Sequence, residues 1–194
     1  MPVKDLWGTK SRLKPILDGG ARAGLTIYMM GRVIAALREA GVEEICVVSP
    51  DRIVLNEAEK RGAFPLMQES RGLNPALEEG RRWAMERGAS SILVLPADLP
   101  LLEAPDVRAV LECASEAPSA VLSPDGALAG TNALLVQPPD ALPFAFGPGS
   151  YEAHLRAASE RGLDVRVCER PHLAFDLDTA QDLVRLGETE VPRP

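Results

Sequence analysis

Asp98 is the first residue whose type and position could do chemistry. It follows the apolar run Ile92–Leu95 and lies between Pro96 and Pro100. Four consecutive apolar residues are typical of a strand that is buried on both faces of a parallel sheet. Ligands of open α/β sheets bind just outside the carboxyl ends of the strands, so Asp98 is a candidate active-site residue. The alternative is a turn aspartate that accepts hydrogen bonds from its own backbone.

A second acidic pair, Asp176 and Asp178, flanks Leu177. In an extended segment these two carboxylates share one face while Leu177 points into the core. Carboxylates about 4 Å apart repel by roughly 4 kcal/mol at an effective dielectric constant near 20, and a divalent cation between them relieves that repulsion. Oxygen ligands without a His or Cys cluster favour Mg²⁺, so Asp98 and this pair predict a three-carboxylate magnesium site. The alternative is that Asp178 or Thr179 caps the following helix.

Two glycine-bearing turns could bind a ligand. The turn Gly147–Ser150 opens a predicted helix, where free N–H groups and the positive end of the helix dipole suit an anion. Ser150 could equally be a simple N-cap, and His154, one turn later, could face the same ligand or merely be packed. Gly130 permits close approach of a ligand at a strand entrance, where Thr131 and Asn132 can donate hydrogen bonds. The alternative there is a plain turn.

The N-terminal segment is locally basic in an acidic protein. Lys4, Lys10 and Arg12 lie close together in a chain of net charge −7, which indicates either a solvated basic tip or a polyphosphate-binding loop. Asn74 precedes Pro75 in a pattern typical of a helix N-cap. Neither a GxxxxGK[ST] loop nor a GxGxxG loop occurs in the sequence.

The elements that must position these residues alternate between strands and helices. This alternation predicts an α/β fold with a mostly parallel central sheet and helices on both faces. The predicted helices are 25–40, 52–61, 74–87, 105–116, 151–161 and 179–187. The predicted strands or extended pieces are 44–49, 63–67, 91–96, 120–123, 131–136, 163–168 and 173–177. We expect a single domain over 1–188 and a loose tail over 189–194.

Composition limits the function classes. The 194 residues fit one domain, and the acidic balance argues against nucleic acid or a membrane surface as a partner. The three cysteines form no CxxC pair and are expected to be free thiols in a reducing compartment. The sequence has no signal peptide and no apolar run near 18 residues, so a cytoplasmic protein is expected.

In combination, these segments resemble one family, the 2-phospho-L-lactate or phosphoenolpyruvate guanylyltransferases of deazaflavin coenzyme F-420 biosynthesis. Each motif is weak alone, and the ordered set over residues 2–183 is specific. One departure is that Met1 stands only three residues before Lys4, so either the first central strand is very short or the true start lies upstream. The residues that carry the resemblance are Pro2–Lys4, Lys10–Leu13, Gly72–Asn74, Leu95–Pro100, Gly130–Leu134, Phe146–Ser150 and Asp176–Thr179.

The resemblance implies a Rossmann-like nucleotidyltransferase of the nucleotide-diphospho-sugar transferase type. It implies transfer of GMP from GTP to a phosphorylated three-carbon acid, with release of pyrophosphate and with Mg²⁺ as cofactor. The implied metal ligands are Asp98, Asp176 and Asp178. The residues implied to hold the acceptor phosphate are Lys4, Thr131, Gly147 and Ser150. Those implied to lie along GTP are Lys10, Arg12 and Asn74, and the implied catalytic residues are Asp98, Lys10 and Lys4.

Other readings of the sequence stay open. Another nucleotidyltransferase, of the molybdenum-cofactor or sugar-phosphate type, is one alternative, and a non-catalytic GTP-binding domain of the same fold is a second. The sequence does not distinguish phosphoenolpyruvate from 2-phospho-L-lactate, or one Mg²⁺ from two. The oligomeric state is also open, with a homodimer as one option, and a labile product could be handed over to the next enzyme.

Overall fold

Helices and strands alternate along most of the chain in the computed structural model, which describes residues 1–190. The helices are α1 (Gly19–Glu39), α2 (Arg52–Lys60), α3 (Leu73–Glu86), α4 (Ala104–Glu112), α5 (Ser150–Glu160) and α6 (Ala180–Glu190). The strands are β1 (Cys46–Ser49), β2 (Phe64–Met67), β3 (Ile92–Val94), β4 (Ser119–Pro124), β5 (Thr131–Gln137) and β6 (Asp164–Val167). A short 3₁₀ turn, Ser11–Leu13, precedes α1. Helix α6 continues beyond its predicted end at 187 to Glu190, so the first two residues of the predicted tail 189–194 are helical, and 191–194 lie outside the described residues.

The strands form a parallel pair, β1–β2, and a four-stranded sheet in the order β3-β5-β4-β6. Strand β5 runs antiparallel to both of its neighbours, β3 and β4, whereas β4 and β6 are parallel. Pro2 extends the first sheet through a parallel bridge to Val48. The α/β class with a mostly parallel sheet is confirmed in strand direction, since β3, β4 and β6 run the same way and β5 runs against them.

Residues alternate between two core faces along β4 and β5. The register partners Val121 and Leu135 lie in the apolar cluster that contains α1, α2 and α4. The register partners Leu122 and Leu134 lie in a second cluster with α3 and α5. Both strands are therefore buried on both faces, as the continuous apolar runs predict, and helices cover the two sides of the sheet.

The N-terminal segment lies beside β1 and contacts it through the bridge from Pro2 to Val48. The ammonium group of Met1 is buried and donates to the carbonyl oxygen of Cys46 at 2.9 Å, and burial lowers the pKa of that ammonium. In the described chain, β1 and β3 do not pair and face a cavity of about 190 Å³ between them. Within residues 1–190, no helix has the length and apolar character that crossing a membrane requires.

The starts of α1 and α3 differ from the predictions in ways that affect the site. Helix α1 begins six residues before the predicted Leu25, because the Asp18 carboxylate accepts a hydrogen bond from the Ala21 N–H at 2.7 Å and caps the first turn. Helix α3 is preceded by Gly72 at φ 109°, a conformation that favours glycine. Asn74 therefore lies within the helix and is not its cap, which leaves its side chain free for another role.

Candidate active site

Asp98 lies in the loop that follows β3, on the sheet edge predicted from the sequence. Its carbonyl oxygen accepts a hydrogen bond from the Leu177 N–H at 3.0 Å. This single backbone bond joins the loop after β3 to the segment that carries Asp176 and Asp178. Two stretches about eighty residues apart in sequence thus place their carboxylates at one edge of the molecule.

Leu177 fixes the direction of the second acidic pair. Its side chain is fully buried in a small apolar cluster with Leu13, Met29 and Leu186, while Asp176 and Asp178 are only partly buried. The segment is irregular and not a strand, yet the predicted alternation holds. Because Leu13 shares this cluster, the same packing brings the N-terminal basic loop to the two aspartates.

Thr179, and not Asp178, caps helix α6. The carboxylate of Asp182 accepts hydrogen bonds from the Thr179 N–H at 2.7 Å and the Asp178 N–H at 3.1 Å, and the Thr179 hydroxyl accepts one from the Asp182 N–H at 3.3 Å. This reciprocal pattern is a capping box. The Asp178 carboxylate is therefore not used as a cap and is available to the site.

Lys10 joins the two acidic stretches. Its Nζ donates to Asp98 Oδ2 at 2.7 Å and to Asp178 Oδ1 at 2.9 Å, and its side chain is only 6% exposed. Arg12, which is exposed, lies 3.9 Å from the other oxygen of Asp178. The Lys10 backbone has φ 48°, a left-handed conformation that is uncommon outside glycine. The Lys10 backbone is therefore locally strained, and this conformation directs the ammonium between the two carboxylates.

The loop that carries Lys10 is held by a buried arginine of α1. Arg22 donates to the carbonyl oxygens of Thr9 at 3.4 Å and of Leu17 at 2.8 Å. Thr9 also contacts Thr26, one turn further along α1, through a hydroxyl–hydroxyl hydrogen bond of 3.3 Å. These contacts anchor the loop on both sides of Lys10 and fix the position of the ammonium.

Electrostatics at this cluster follow from burial and close charges. Burial alone would lower the pKa of Lys10, but its ion pairs with Asp98 and Asp178 outweigh burial and raise that pKa, so the ammonium is retained. Burial raises the pKa of Asp176, and the negative charges of Asp98 and Asp178 raise it further, while a hydrogen bond from Asn132 opposes the shift. The three carboxylates therefore repel one another, with one ammonium bonded to two of them.

A cavity of about 420 Å³ opens beside this cluster, a volume within the range of small-molecule sites. The N-terminal segment, the loop after β3 and the start of α3 form its wall. The predicted site residues on that wall are Lys4, Lys10, Asp98 and Asp178. Asp176, Arg12, Asn74, Thr131, Gly147 and Ser150 are not among its lining residues.

Thr131, Ser150 and His154 form a second, buried polar group at the start of β5 and α5. The Thr131 N–H donates to Ser150 Oγ at 2.9 Å, and Thr131 Oγ1 lies 3.0 Å from His154 Nδ1. Gly149, at φ 74°, is the N-cap of α5, so Ser150 is the first helical residue and not a cap. The next residue, Asn132, donates to Asp176 Oδ1 at 3.3 Å. This bond links the group to the acidic cluster.

Asn74 holds the turn before α5. Its amide nitrogen donates to the Phe146 carbonyl oxygen at 3.0 Å, and its amide oxygen accepts from the Phe146 N–H at 2.8 Å. Both ends of the side chain are thus used to join α3 to the segment just before Gly147. In this arrangement Asn74 positions the turn, and a contact with GTP stays a prediction.

The residues present fit Mg²⁺ in donor chemistry. Asp98 and Asp178 direct carboxylate oxygens, the ligands that Mg²⁺ prefers, to one point, and Asp176 is close enough to repel both. That point is taken by Lys10 Nζ, and among residues 1–190 no three His, Cys, Asp or Glu side chains are arranged to hold a metal ion. A cation bound between the two carboxylates would therefore require the ammonium to move.

Two supporting residues, Arg22 and Asp182, were not singled out from the sequence, and His154 was singled out only as a residue that could face a ligand. Arg22 lies before the predicted start of α1 at 25, so no signal in the sequence pointed to it. The Thr179-x-x-Asp182 pattern is a recognisable capping box. For His154, the only signal in the sequence was its place one turn after Ser150. One of its partners, Thr131, is distant in sequence, and the other is the backbone N–H of Ala145.

Comparison with known proteins identifies close relatives. Residues 1–188 match the family described as "Guanylyl transferase CofC like". The phosphoenolpyruvate guanylyltransferase of Rubrobacter xylanophilus is 61% identical over 186 residues, 96% of this chain and 91% of that protein. The 3-phospho-D-glycerate guanylyltransferase of Colwellia psychrerythraea is 34% identical over 193 residues, 99% of this chain and 91% of that protein.

Solved structures resemble the chain in fold. A Desulfovibrio desulfuricans structure described as a nucleotide-diphospho-sugar transferase superposes with a TM-score of 0.76 at 17% identity, covering 97% of this chain and 84% of that one. The CMP:2-keto-3-deoxy-manno-octonic acid synthetase complexed with CTP gives 0.65 at 16% identity, covering 98% and 97%. These likenesses confirm the predicted nucleotide-diphospho-sugar transferase type of fold.

Proposed function

The chain belongs to the CofC-like guanylyltransferase family, whose members are nucleotidyltransferases, and we propose that it transfers GMP from GTP to the phosphate of a three-carbon acid. Pyrophosphate is the second product. Membership of an enzyme family favours this proposal over a non-catalytic GTP-binding domain. The observation that carries it is the meeting of Asp98, Asp178 and Lys10 at the wall of a cavity that also includes Lys4.

The reaction joins two anions, so the site must position them and reduce their repulsion. An oxygen of the acceptor phosphate attacks the α-phosphorus of GTP in line. A new P–O bond forms there as the bond from the α-phosphorus to the oxygen bridging to the β-phosphorus breaks, and pyrophosphate leaves with that electron pair. The acceptor phosphate is already ionised at pH 7, so no general base is required.

The basic residues supply the charge that this reaction needs. Lys4 lies on the cavity wall and is assigned to the acceptor phosphate. Lys10 and Arg12, both near Asp178, are assigned to the GTP phosphates, where an ammonium and a guanidinium stabilise the leaving pyrophosphate. Mg²⁺ held by Asp98, Asp176 and Asp178 would reduce the negative charge between the acceptor and the α-phosphate.

Phosphoenolpyruvate is our first choice of acceptor, because a relative 61% identical is named a phosphoenolpyruvate guanylyltransferase. A relative named for 3-phospho-D-glycerate is 34% identical. The second choice, 2-phospho-L-lactate, and a place in coenzyme F-420 biosynthesis rest on the family resemblance. A cytoplasmic location, a homodimer and hand-over of a labile product also remain predictions.

Substitution of Asp98 by Asn tests the proposed site. Asp98→Asn removes the negative charge from one corner of the acidic cluster with little change of volume, so we expect pyrophosphate release from GTP and phosphoenolpyruvate to be abolished while the protein stays folded. Asp164→Asn is the matched control, because Asp164 is exposed on β6 and pairs with Arg166. Near-normal turnover of Asp98→Asn with Mg²⁺ present would contradict the assignment of this site.

A further inference from the structure

His154 is a buried histidine with a hydrogen-bond partner on each ring nitrogen. It is 0% exposed and lies on the first turns of α5. Nε2 lies 3.0 Å from the Ala145 backbone nitrogen, and Nδ1 lies 3.0 Å from Thr131 Oγ1. The ring also packs edge-on against Phe146, with the ring centres 4.8 Å apart. Neither the catalytic steps nor the substrate contacts proposed above use this side chain.

The backbone partner fixes the tautomer of His154. A backbone N–H can only donate, so Nε2 must be the unprotonated, accepting nitrogen. The single proton of a neutral imidazole is then on Nδ1, which donates to the Thr131 hydroxyl oxygen. Burial lowers the pKa of His154 to about 4, which keeps the ring neutral at pH 7.

The Thr131 hydroxyl oxygen therefore accepts a hydrogen bond from His154, and its own O–H can donate to another acceptor. Ser150 is arranged in the same way, since its Oγ accepts the Thr131 N–H and keeps its hydrogen free. Both hydroxyls are buried, at 6% and 2% exposure, beside the glycine turn that opens α5. The result is a pair of oriented hydroxyl donors in a water-poor place, an arrangement suited to an anion.

We infer that His154 is a positioning residue that holds the Thr131 hydroxyl as a hydrogen-bond donor to the phosphate of the acceptor acid. The inference rests on the proposed function, with the acceptor phosphate at Thr131 and Ser150 as the family resemblance implies. His154 acts through Thr131 and does not itself touch the substrate. Its Nε2 has the separate task of holding Ala145 in the segment before the glycine turn.

Two isosteric substitutions separate these tasks. The amide of Asn reaches the place of Nδ1, so His154→Asn can still donate to Thr131 while losing the bond from Ala145. The amide of Gln reaches the place of Nε2, so His154→Gln can still accept from Ala145 while losing the bond to Thr131. Thermal unfolding of both variants and their KM for GTP report any general damage to the fold.

The test is a double-mutant cycle that combines each His154 variant with Thr131→Val. Activity is measured as pyrophosphate release with GTP and phosphoenolpyruvate. We expect His154→Gln to raise KM for phosphoenolpyruvate about tenfold, the effect of one hydrogen bond to a charged group, with KM for GTP unchanged. His154→Asn is expected to stay within about threefold of wild type. In the Thr131→Val background, His154→Gln is expected to add nothing.

Two results would overturn the inference while leaving the proposed function in place. One is that His154→Asn and His154→Gln change KM for phosphoenolpyruvate equally. The other is that His154→Gln has its full effect in the Thr131→Val background. If Thr131→Val itself leaves that KM unchanged, the acceptor phosphate is not bound at Thr131, and the proposed acceptor site fails together with the inference.

Discussion

Replacing Lys10 by Met should destabilise the metal-free protein and make its stability depend on Mg²⁺. The substitution keeps most of the apolar side chain and removes the ammonium that contacts Asp98 and Asp178. The two carboxylate oxygens lie 2.7 and 2.9 Å from the same nitrogen, so they are separated by less than about 6 Å. Without the ammonium these like charges face each other across that gap.

The magnitude follows from that separation. Two unit charges about 6 Å apart repel by about 3 kcal/mol at an effective dielectric constant near 20. Asp178 is 44% exposed, and water screens part of this repulsion, so we expect the free energy of unfolding to fall by about 1 to 3 kcal/mol. If Mg²⁺ binds at the proposed site, it takes the place of the ammonium, so added Mg²⁺ should recover much of the loss through binding to the native state.

Urea unfolding of the wild type and of Lys10→Met, each with EDTA and with millimolar Mg²⁺, measures this effect. We expect Mg²⁺ to stabilise Lys10→Met more than the wild type, in which Lys10 already occupies the position between the carboxylates. Lys14→Met is the control, since Lys14 is an exposed lysine of the same segment. Equal stabilisation of wild type and Lys10→Met by Mg²⁺ would refute the competition between the ammonium and a cation.

Three further predictions test other parts of the site. Because the pKa of His154 is about 4 in the folded chain and 6.5 in the unfolded chain, the unfolded chain binds more protons between these values. Stability should therefore fall by up to about 3 kcal/mol as the pH drops through that range, and urea unfolding of His154→Asn should lack that part of the slope. Asn74→Ala removes both hydrogen bonds to Phe146 and should lower the free energy of unfolding by about 1 to 3 kcal/mol; an unchanged urea midpoint would show that these bonds are not needed. Lys4→Ala should raise KM for the acceptor acid more than KM for GTP, and steady-state kinetics that show an unchanged acceptor KM would remove Lys4 from the site.

Local patterns predicted the parts of the site that depend on local structure. The apolar run before Asp98 indicated a buried strand end, and the alternation around Leu177 placed Asp176 and Asp178 on one face. The glycine turn before Ser150 indicated the start of α5 within one residue. In each case one element, with its own periodicity or cap, decides where the side chain lies.

Long-range contacts account for what the sequence did not reveal. The ion pairs of Lys10 join residues separated by 88 and 168 positions, and no local pattern encodes such a separation. The sequence context of Asn74 is typical of a helix N-cap, whereas in the structure Gly72 is the N-cap and the Asn74 side chain crosses to Phe146. The antiparallel direction of β5 does have a local signal, since only a short loop and no helix separates it from β4.

Mass spectrometry of the product tests the central claim most directly. The purified protein, GTP and Mg²⁺ would be incubated with an equimolar mixture of phosphoenolpyruvate, 2-phospho-L-lactate and 3-phosphoglycerate, with parallel reactions in which ATP, CTP or UTP replaces GTP. We predict a guanylyl-diphospho adduct of one acid, phosphoenolpyruvate first, formed with an equal amount of pyrophosphate and only with GTP. An adduct formed equally well from another nucleotide, or no adduct and no pyrophosphate with any of the acids, would contradict the proposed function.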